Sequence, residues 1–324
     1  MARINTVLTA VDDSELGIVL PHERLIDDLT RVDDRPAAGN VEIIQQWVKR
    51  EFEDLASRGA RTIIEVTPIG CGRHISLMRQ LQDTTHLRIV AATGFGPVGR
   101  RPDWVAQRKP KHIAEVLVKE LTEGIGETDS RAGVISLATE GPDDEDQAVL
   151  KAVGMAHRKT AVPVIAYAPD RRGERLDALE KAGVPAHCVA LSHADVGATI
   201  EELTALARRG ASLIFTNWGI AARVNDRDLV GLIQQLQAAD LAGRLMISVD
   251  FGFGIRRPEG IEWPLFGVPG RTYAYLFRVV LPMMRGAGLT DGDLWQMMVA
   301  NPAAFLAHGG QGDETCRFCG HHRH

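Results

Sequence analysis

Short apolar runs alternate with stretches of helical periodicity along almost the whole chain. The first such run, LGIVLPHER, ends abruptly in His22, Glu23 and Arg24, and its apolar part, bounded by Gly17 and Pro21, reads as a buried strand. Further runs fall at 62–66, 87–93, 133–138, 163–167, 188–192, 212–216 and 245–249, which with the strand at Ile18 makes eight. Each is apolar at consecutive positions, as a strand covered by helices on both faces must be, and each leads through polar or Gly-rich sequence into a helical pattern. Eight such units predict an α/β chain folded as a single (β/α)8 TIM barrel. Ahead of it, residues 4–8 and the turn-forming Val11-Asp12-Asp13-Ser14 predict a short N-terminal hairpin. Residues 33–40 read as a loop, Val41–Ser57 as a helix, and Gly59 as its stop. Two longer excursions, 95–112 and 251–270, follow strands three and eight and are expected to lie over the barrel mouth. The barrel is assigned to 1–308 and a flexible Cys/His-rich tail to 309–324.

Composition narrows the function. A chain of 324 residues, 45% hydrophobic, can bury one large core. A net charge of −5 with only 5% aromatic residues offers neither a basic footprint nor stacking platforms, so a small molecule is expected as partner rather than nucleic acid. No apolar stretch approaches the roughly 18 residues of a membrane span, and the first nine residues lack a signal-peptide core, so the expected location is cytoplasmic. Cys71 and Cys188, isolated and apolar-flanked, read as buried thiols of a reducing compartment.

In parallel α/β folds the chemistry sits at the carboxyl ends of the strands. There the sequence places His22, Glu23 and Arg24 after strand one, Glu65 in strand two, and Ser136 and Thr139 on strand four. Tyr167 ends strand five, Ser192-His193-Ala194-Asp195 strand six, Thr216-Asn217-Trp218 strand seven and Asp250 strand eight. Two histidines and an aspartate converging on one mouth suit either a divalent metal or acid–base work. Glu65, within an apolar strand, needs a partner, and Arg24 is the expected one. Arg256 and Arg257, on the loop after strand eight, could attract an anion, although solvated loop charges are the plainer reading.

LGIVLPHER, ARTIIEVTPIGCGRHISLM with the following LRIVAATGF, RAGVISLAT, TAVPVIAY, ALSHAD, RLMISVDFGFG and the closing VVLPMMRGAGLTDGDLWQMMVANPAAFLA together resemble the phosphotriesterase family of the amidohydrolase superfamily, from Leu16 to Ala307. The resemblance implies a (β/α)8 barrel and, usually, a binuclear zinc-type centre that activates hydroxide against phosphotriesters, lactones or other esters. Arg73 matches a family arginine read as structural. The chain departs from the pattern at three ligand positions: Arg24 stands where a second histidine is usual, Ser136 at the bridging lysine or glutamate, and Tyr167 at the strand-five histidine. Only His22, His193 and Asp250 match the six-ligand set, and a guanidinium beside His22 repels a divalent cation, so a binuclear centre is not expected.

Three readings stay open. His22, His193 and Asp250 hold a single metal, zinc by donor type; or no metal is used and Arg24 grips a substrate carboxylate while Asp250 acts as base; or the barrel only binds a ligand. The expectation is hydrolysis of a small, carboxylate-bearing ester or lactone. Asp250 would be general base, His22 and His193 polarising groups or ligands, and Arg24, Tyr167 and Asn217 substrate contacts. Lyase or isomerase chemistry with Asp250 as base is the alternative. No organic cofactor is expected, and a homodimer is allowed. The tail, with Cys316-x-x-Cys319, His321, His322 and His324, has donors for a separate zinc, copper or nickel site.

Overall fold

The computed structural model describes residues 1–28, 41–141, 143–256, 260–262 and 268–308. Its centre is an eight-stranded parallel sheet in simple sequential order: β1 (Ile18–Glu23), β2 (Ala60–Glu65), β3 (Arg88–Phe95), β4 (Val134–Ala138), β5 (Val164–Tyr167), β6 (Val189–Ser192), β7 (Ser212–Phe215) and β8 (Leu245–Ile247). Helices α1 (Val41–Ser57), α2 (Ile75–Thr85), α3 (Pro110–Thr122), α4 (Asp144–Thr160), α5 (Arg172–Ala182), α6 (Ile200–Arg208) and α7 (Asp226–Ala238) follow β1 to β7 in turn. Among the described residues, three short α-helices come last, α8 (Leu281–Gly286), α9 (Asp291–Trp295) and α10 (Asn301–Ala307). Every strand of the expected barrel is present, and Gly59 follows α1 at φ +97°, where a side chain would be strained. Among the described residues no helix is long and apolar enough to cross a membrane.

The continuous apolar runs have two cores to fill. Ile63 of β2 packs outward into the layer between sheet and helices, while its neighbour Ile64 packs inward with Val19, Val90, Val134, Ile165, Ile214 and Met246. Phe305 and Leu306 of α10 plug the floor of that inner core. At the upper level Gly94 of β3 has φ +115°, and a β-carbon there would stand 1.9 Å from the Ser136 carbonyl oxygen of β4, so only glycine fits.

Two local expectations are corrected. The N-terminal hairpin pairs Arg3–Asn5 with Ala10–Asp12, so Val11 is a buried strand residue and the connection is 6–9 rather than 11–14. Asp13–Glu15 instead form a short helical turn capped by Asp12 and Glu15. The loops after β1 and β8 also pair: Ile26–Asp28 runs parallel to Phe253–Arg256, which returns antiparallel as Gly260–Glu262. Strands this short, with two aspartates in one of them, carry no periodic signal.

This small sheet sits beside an unusual seam. Between β8 and β1 no ladder is recorded among the described residues; the barrel closes there through single bonds. Asp250 N donates to His22 O at 3.1 Å, Arg24 N to Phe251 O at 2.9 Å, and His22 N to Ser248 Oγ at 2.9 Å. The seam is where two of the three candidate ligands meet.

Candidate active site at the barrel seam

His22 and Asp250 face each other across the seam, and His193 arrives from the end of β6. His193 Nε2 lies 3.0 Å from Asp250 Oδ2, and His22 Nε2 lies 3.5 Å from Asp250 Oδ1. All three side chains are buried, with the two imidazoles edge to face at 5.3 Å between centroids. Both His193 (φ 56°) and Asp250 (φ 50°) hold left-handed backbone, a conformation costing about 1–2 kcal/mol for a residue with a β-carbon.

What holds Asp250 in that conformation is Glu23. Its Oε1 accepts from Ser248 Oγ at 2.7 Å and Val249 N at 2.8 Å, and its Oε2 accepts from Phe251 N at 2.7 Å. One buried carboxylate thus holds the backbone N–H groups of the residues on either side of Asp250. Arg271 grips the same segment from the carbonyl side, donating to Val249 O and Asp250 O and, at 2.7 Å, to Trp218 O. Sequence reasoning gave Glu23 and Arg271 no role. The available signal was an acidic residue at the buried end of a strand, which must find donors.

Arg24 completes the cluster. Its Nε stands 3.4 Å from Asp250 Oδ1 and its Nη1 is bound to Asp27, which Arg100 shares. Gly252 lets it in: a β-carbon at 252 would lie 2.8 Å from the Arg24 β-carbon. Arg24 is therefore not the partner of Glu65, correcting the expected pair. Glu65 accepts instead from Leu25 N at 3.1 Å and from the Thr67 hydroxyl and N–H, fixing the strand-one exit. Arg73 makes a bidentate pair with Glu120 at 2.7 and 2.8 Å and donates to Ala92 O, in keeping with a structural role.

The electrostatics follow from this packing. Burial alone would raise the Asp250 carboxyl, but the Arg24 guanidinium, the His193 hydrogen bond and His22 pull it well below the usual carboxylate range. Burial takes the His22 imidazole down to about 3, against the attraction of Asp250, so it is neutral. Burial pushes Glu23 up to about 7 against three donated hydrogen bonds that favour its ionised form, and Glu65 likewise to about 7. The Cys71 thiol is pushed up to about 11, as befits an inert buried cysteine.

Above the cluster opens a cavity of about 550 Å³, within the range of small-molecule sites. His22, Arg24, Tyr167, His193 and Asp250 line it, as does Ser136, and Arg100, Arg175 and Arg223 bring further guanidinium groups to its wall. Tyr167 packs edge to face on His193 at 4.6 Å. Asn217 is not brought to this cavity. It is buried in the wall, its Nδ2 donating to Asp195 Oδ1 at 2.9 Å and its Oδ1 accepting from Arg223 at 2.9 Å. The side chains of Arg256 and Arg257, and the tail with Cys316, Cys319, His321 and His324, lie outside the described residues.

The donor set suits one cation and not two. One ligand atom each from His22, His193 and Asp250 lies within 4.8 Å of the others, and the buried His22 Nε2 and Asp250 Oδ1 have no hydrogen-bond partner. At the three other positions where the resemblance implies ligands, the chain has a guanidinium, a hydroxyl and a phenol, from Arg24, Ser136 and Tyr167.

Known proteins bear on this geometry. The family model described as phosphotriesterase family matches residues 2–306. A phosphotriesterase homology protein of Escherichia coli (strain K12) is 28% identical over 298 residues, covering 90% of this chain and 98% of its own. Among solved structures, a protein described as organophosphate hydrolysis activity engineered from a weak promiscuous lactonase template superposes with a TM-score of 0.84 at 26% identity, over 94% of this chain and 100% of that one. The E. coli phosphotriesterase homology protein, complexed with phosphate in its active site, superposes with a TM-score of 0.78 at 27% identity, over 90% and 99%.

Proposed function

Because the chain belongs to the phosphotriesterase family, hydrolases of the amidohydrolase superfamily, we propose that it opens a small lactone or ester that carries a carboxylate. The observation that carries this reading is the Asp250 carboxylate at the cavity floor, one oxygen held by His193 and the other, Oδ1, without a hydrogen-bond partner. Lactone chemistry is favoured by the lactonase ancestry of the structural relative, and an anionic substrate by the phosphate in the E. coli relative's active site.

Asp250 stays ionised and takes a proton from water at Oδ1, while His193 holds Oδ2 and fixes the carboxylate plane. Neutral His22, with neither ring nitrogen engaged in a hydrogen bond, can donate to the carbonyl oxygen as charge develops there. Arg24 supplies a planar fork at the cavity wall for the substrate carboxylate. Its present tie to Asp250 also damps the base, so a carboxylate that draws Arg24 away restores basicity where it is needed.

A single divalent cation is the second reading, favoured by the buried His22 Nε2 and Asp250 Oδ1, neither of which has a hydrogen-bond partner. His22, His193 and Asp250 would hold it, and it would add Lewis-acid polarisation and a lowered water pKa. The guanidinium 3.4 Å from Asp250 Oδ1 opposes it.

Matched lactones with and without a carboxylate test the reading. Wild type is expected to prefer the carboxylate form by about tenfold or more in kcat/KM, and Arg24→Ala to erase that preference mainly through KM. No preference in wild type, or one that survives Arg24→Ala, contradicts it.

A further inference from the structure

We propose that His187, Cys188 and His308 form a second metal site, for a zinc-type cation, at the closed end of the barrel. His187 and Cys188 lie in the helical turn Ala186–Cys188 that feeds β6, and His308 caps α10. One ligand atom from each lies within 4.8 Å of the other two, the spacing of groups that share an ion. The two imidazole rings stand edge to face with centroids 5.2 Å apart.

The donor chemistry is selective. Two imidazoles and a thiol favour zinc and softer ions over magnesium or calcium, and three protein ligands leave one tetrahedral position open. Cys188 is buried while both imidazoles are partly exposed, so an ion can enter from solvent. A buried cysteine is by itself only a small apolar side chain. Cys71 is such a case, its Sγ lying against the Arg100 carbonyl oxygen, whereas Cys188 is flanked by two imidazoles from different elements. Arg244 adds positive charge beside both rings; His157, also nearby, has its Nδ1 engaged at 2.9 Å with Val162 O.

The place suggests the purpose. Phe305 and Leu306 of α10 plug the barrel floor, and Asn301 ties the start of that helix to Ala242 O at 2.8 Å and Leu245 O at 2.7 Å. An ion joining His308 to the entry of β6 pins the other end. It would be a staple on the face of a barrel that serves stability rather than chemistry.

The test uses the full chain carrying Cys316→Ser and Cys319→Ser, so that no tail thiol contributes. Cobalt(II) is titrated in, with thiolate-to-cobalt charge transfer and the thermal midpoint as readouts. One equivalent should produce the charge-transfer band, Cys188→Ser should abolish it, and Cys71→Ser should leave it. His187→Gln and His308→Gln should each weaken cobalt binding about tenfold or more. Zinc should raise the thermal midpoint of the parent more than that of His308→Gln. A folded parent with no thiolate band at saturating cobalt, or a band that survives Cys188→Ser, overturns the proposal. Should Cys188→Ser not fold, unchanged cobalt affinity in the partly exposed His308→Gln overturns it equally.

Discussion

Strand β6 carries a candidate ligand at each end, Cys188 at its entry and His193 at its exit, and the two neighbourhoods differ in kind. At the exit, His193 meets a carboxylate that is fully buried, ion-paired with Arg24, and held in left-handed backbone by the Glu23 and Arg271 clamps. At the entry, Cys188 meets two imidazoles, and none of these three residues has positive φ. Backbone strain and compensated buried charge persist only where surrounding structure enforces them, and they gather where charge must be poised. Soft donors on ordinary backbone need only an ion. If both proposals hold, one barrel separates chemistry at its mouth from reinforcement at its floor.

Substitutions can break that contrast. The largest effect is expected from Asp250→Asn, which keeps shape and removes the base: turnover of the carboxylate lactone should fall about 10²–10⁴-fold, with circular dichroism unchanged. Wild-type rates in that variant would remove Asp250 from the mechanism. Next comes Glu23→Gln, which turns an acceptor at the Asp250 clamp into a donor facing backbone N–H. It should lower kcat about 10–100-fold with little change in KM, and lower stability by about 1–3 kcal/mol in denaturant melts. A normal kcat would show that the loop keeps its shape without the clamp.

Acid sharpens the contrast further. His22 is ordinarily half-protonated at 6.5 but about 3 in the fold, so the unfolded chain binds more protons between those values, and folding stability falls as pH drops through that window. From pH 6.5 to 5 this group alone costs about 2 kcal/mol, at 1.36 kcal/mol per unit. Glu23 and Glu65, raised to about 7, act oppositely: their contribution is full below 4.5 and fades as pH rises through 7. Urea melts of wild type and His22→Asn should therefore converge toward pH 5, and parallel pH profiles would contradict a buried neutral His22. The smallest effect belongs to Cys188→Ser, about 16 Å from His193 at the other end of a four-residue strand, which should leave kcat/KM within about threefold. A large loss would mean that floor and mouth are coupled.

How much of this was legible in the sequence depended on burial. All eight barrel strands could be read because each is covered on both faces, so its apolar run is unbroken. The pairing of Ile26–Asp28 with Phe253–Arg256 could not, since it joins distant loops through strands of only three and four residues. His22, His193 and Asp250 could be placed together because strand ends in such a barrel share one mouth. Arg24 was visible as a cation at the site, but its partners were not: the expected Glu65 is bound to backbone and Thr67, and Asp27 and Asp250 take the guanidinium. Asn217 occupied the right strand end and still turned into the wall, because Asp195 and Arg223 satisfy its amide. Glu23 was hidden by its position between two residues of more obvious chemistry. Its role is fixed by three donors, of which the two backbone N–H groups leave no mark in side-chain identity.

Product labelling in heavy-oxygen water tests the central claim most directly. The full chain is incubated with a carboxylate-bearing lactone, alongside Asp250→Asn, and the products are read by mass spectrometry. Hydrolysis at the seam predicts one heavy oxygen in each ring-opened acid from wild type and almost none formed by Asp250→Asn. An unlabelled product, as from elimination or isomerisation, or labelled acid formed equally by both proteins, would contradict the account.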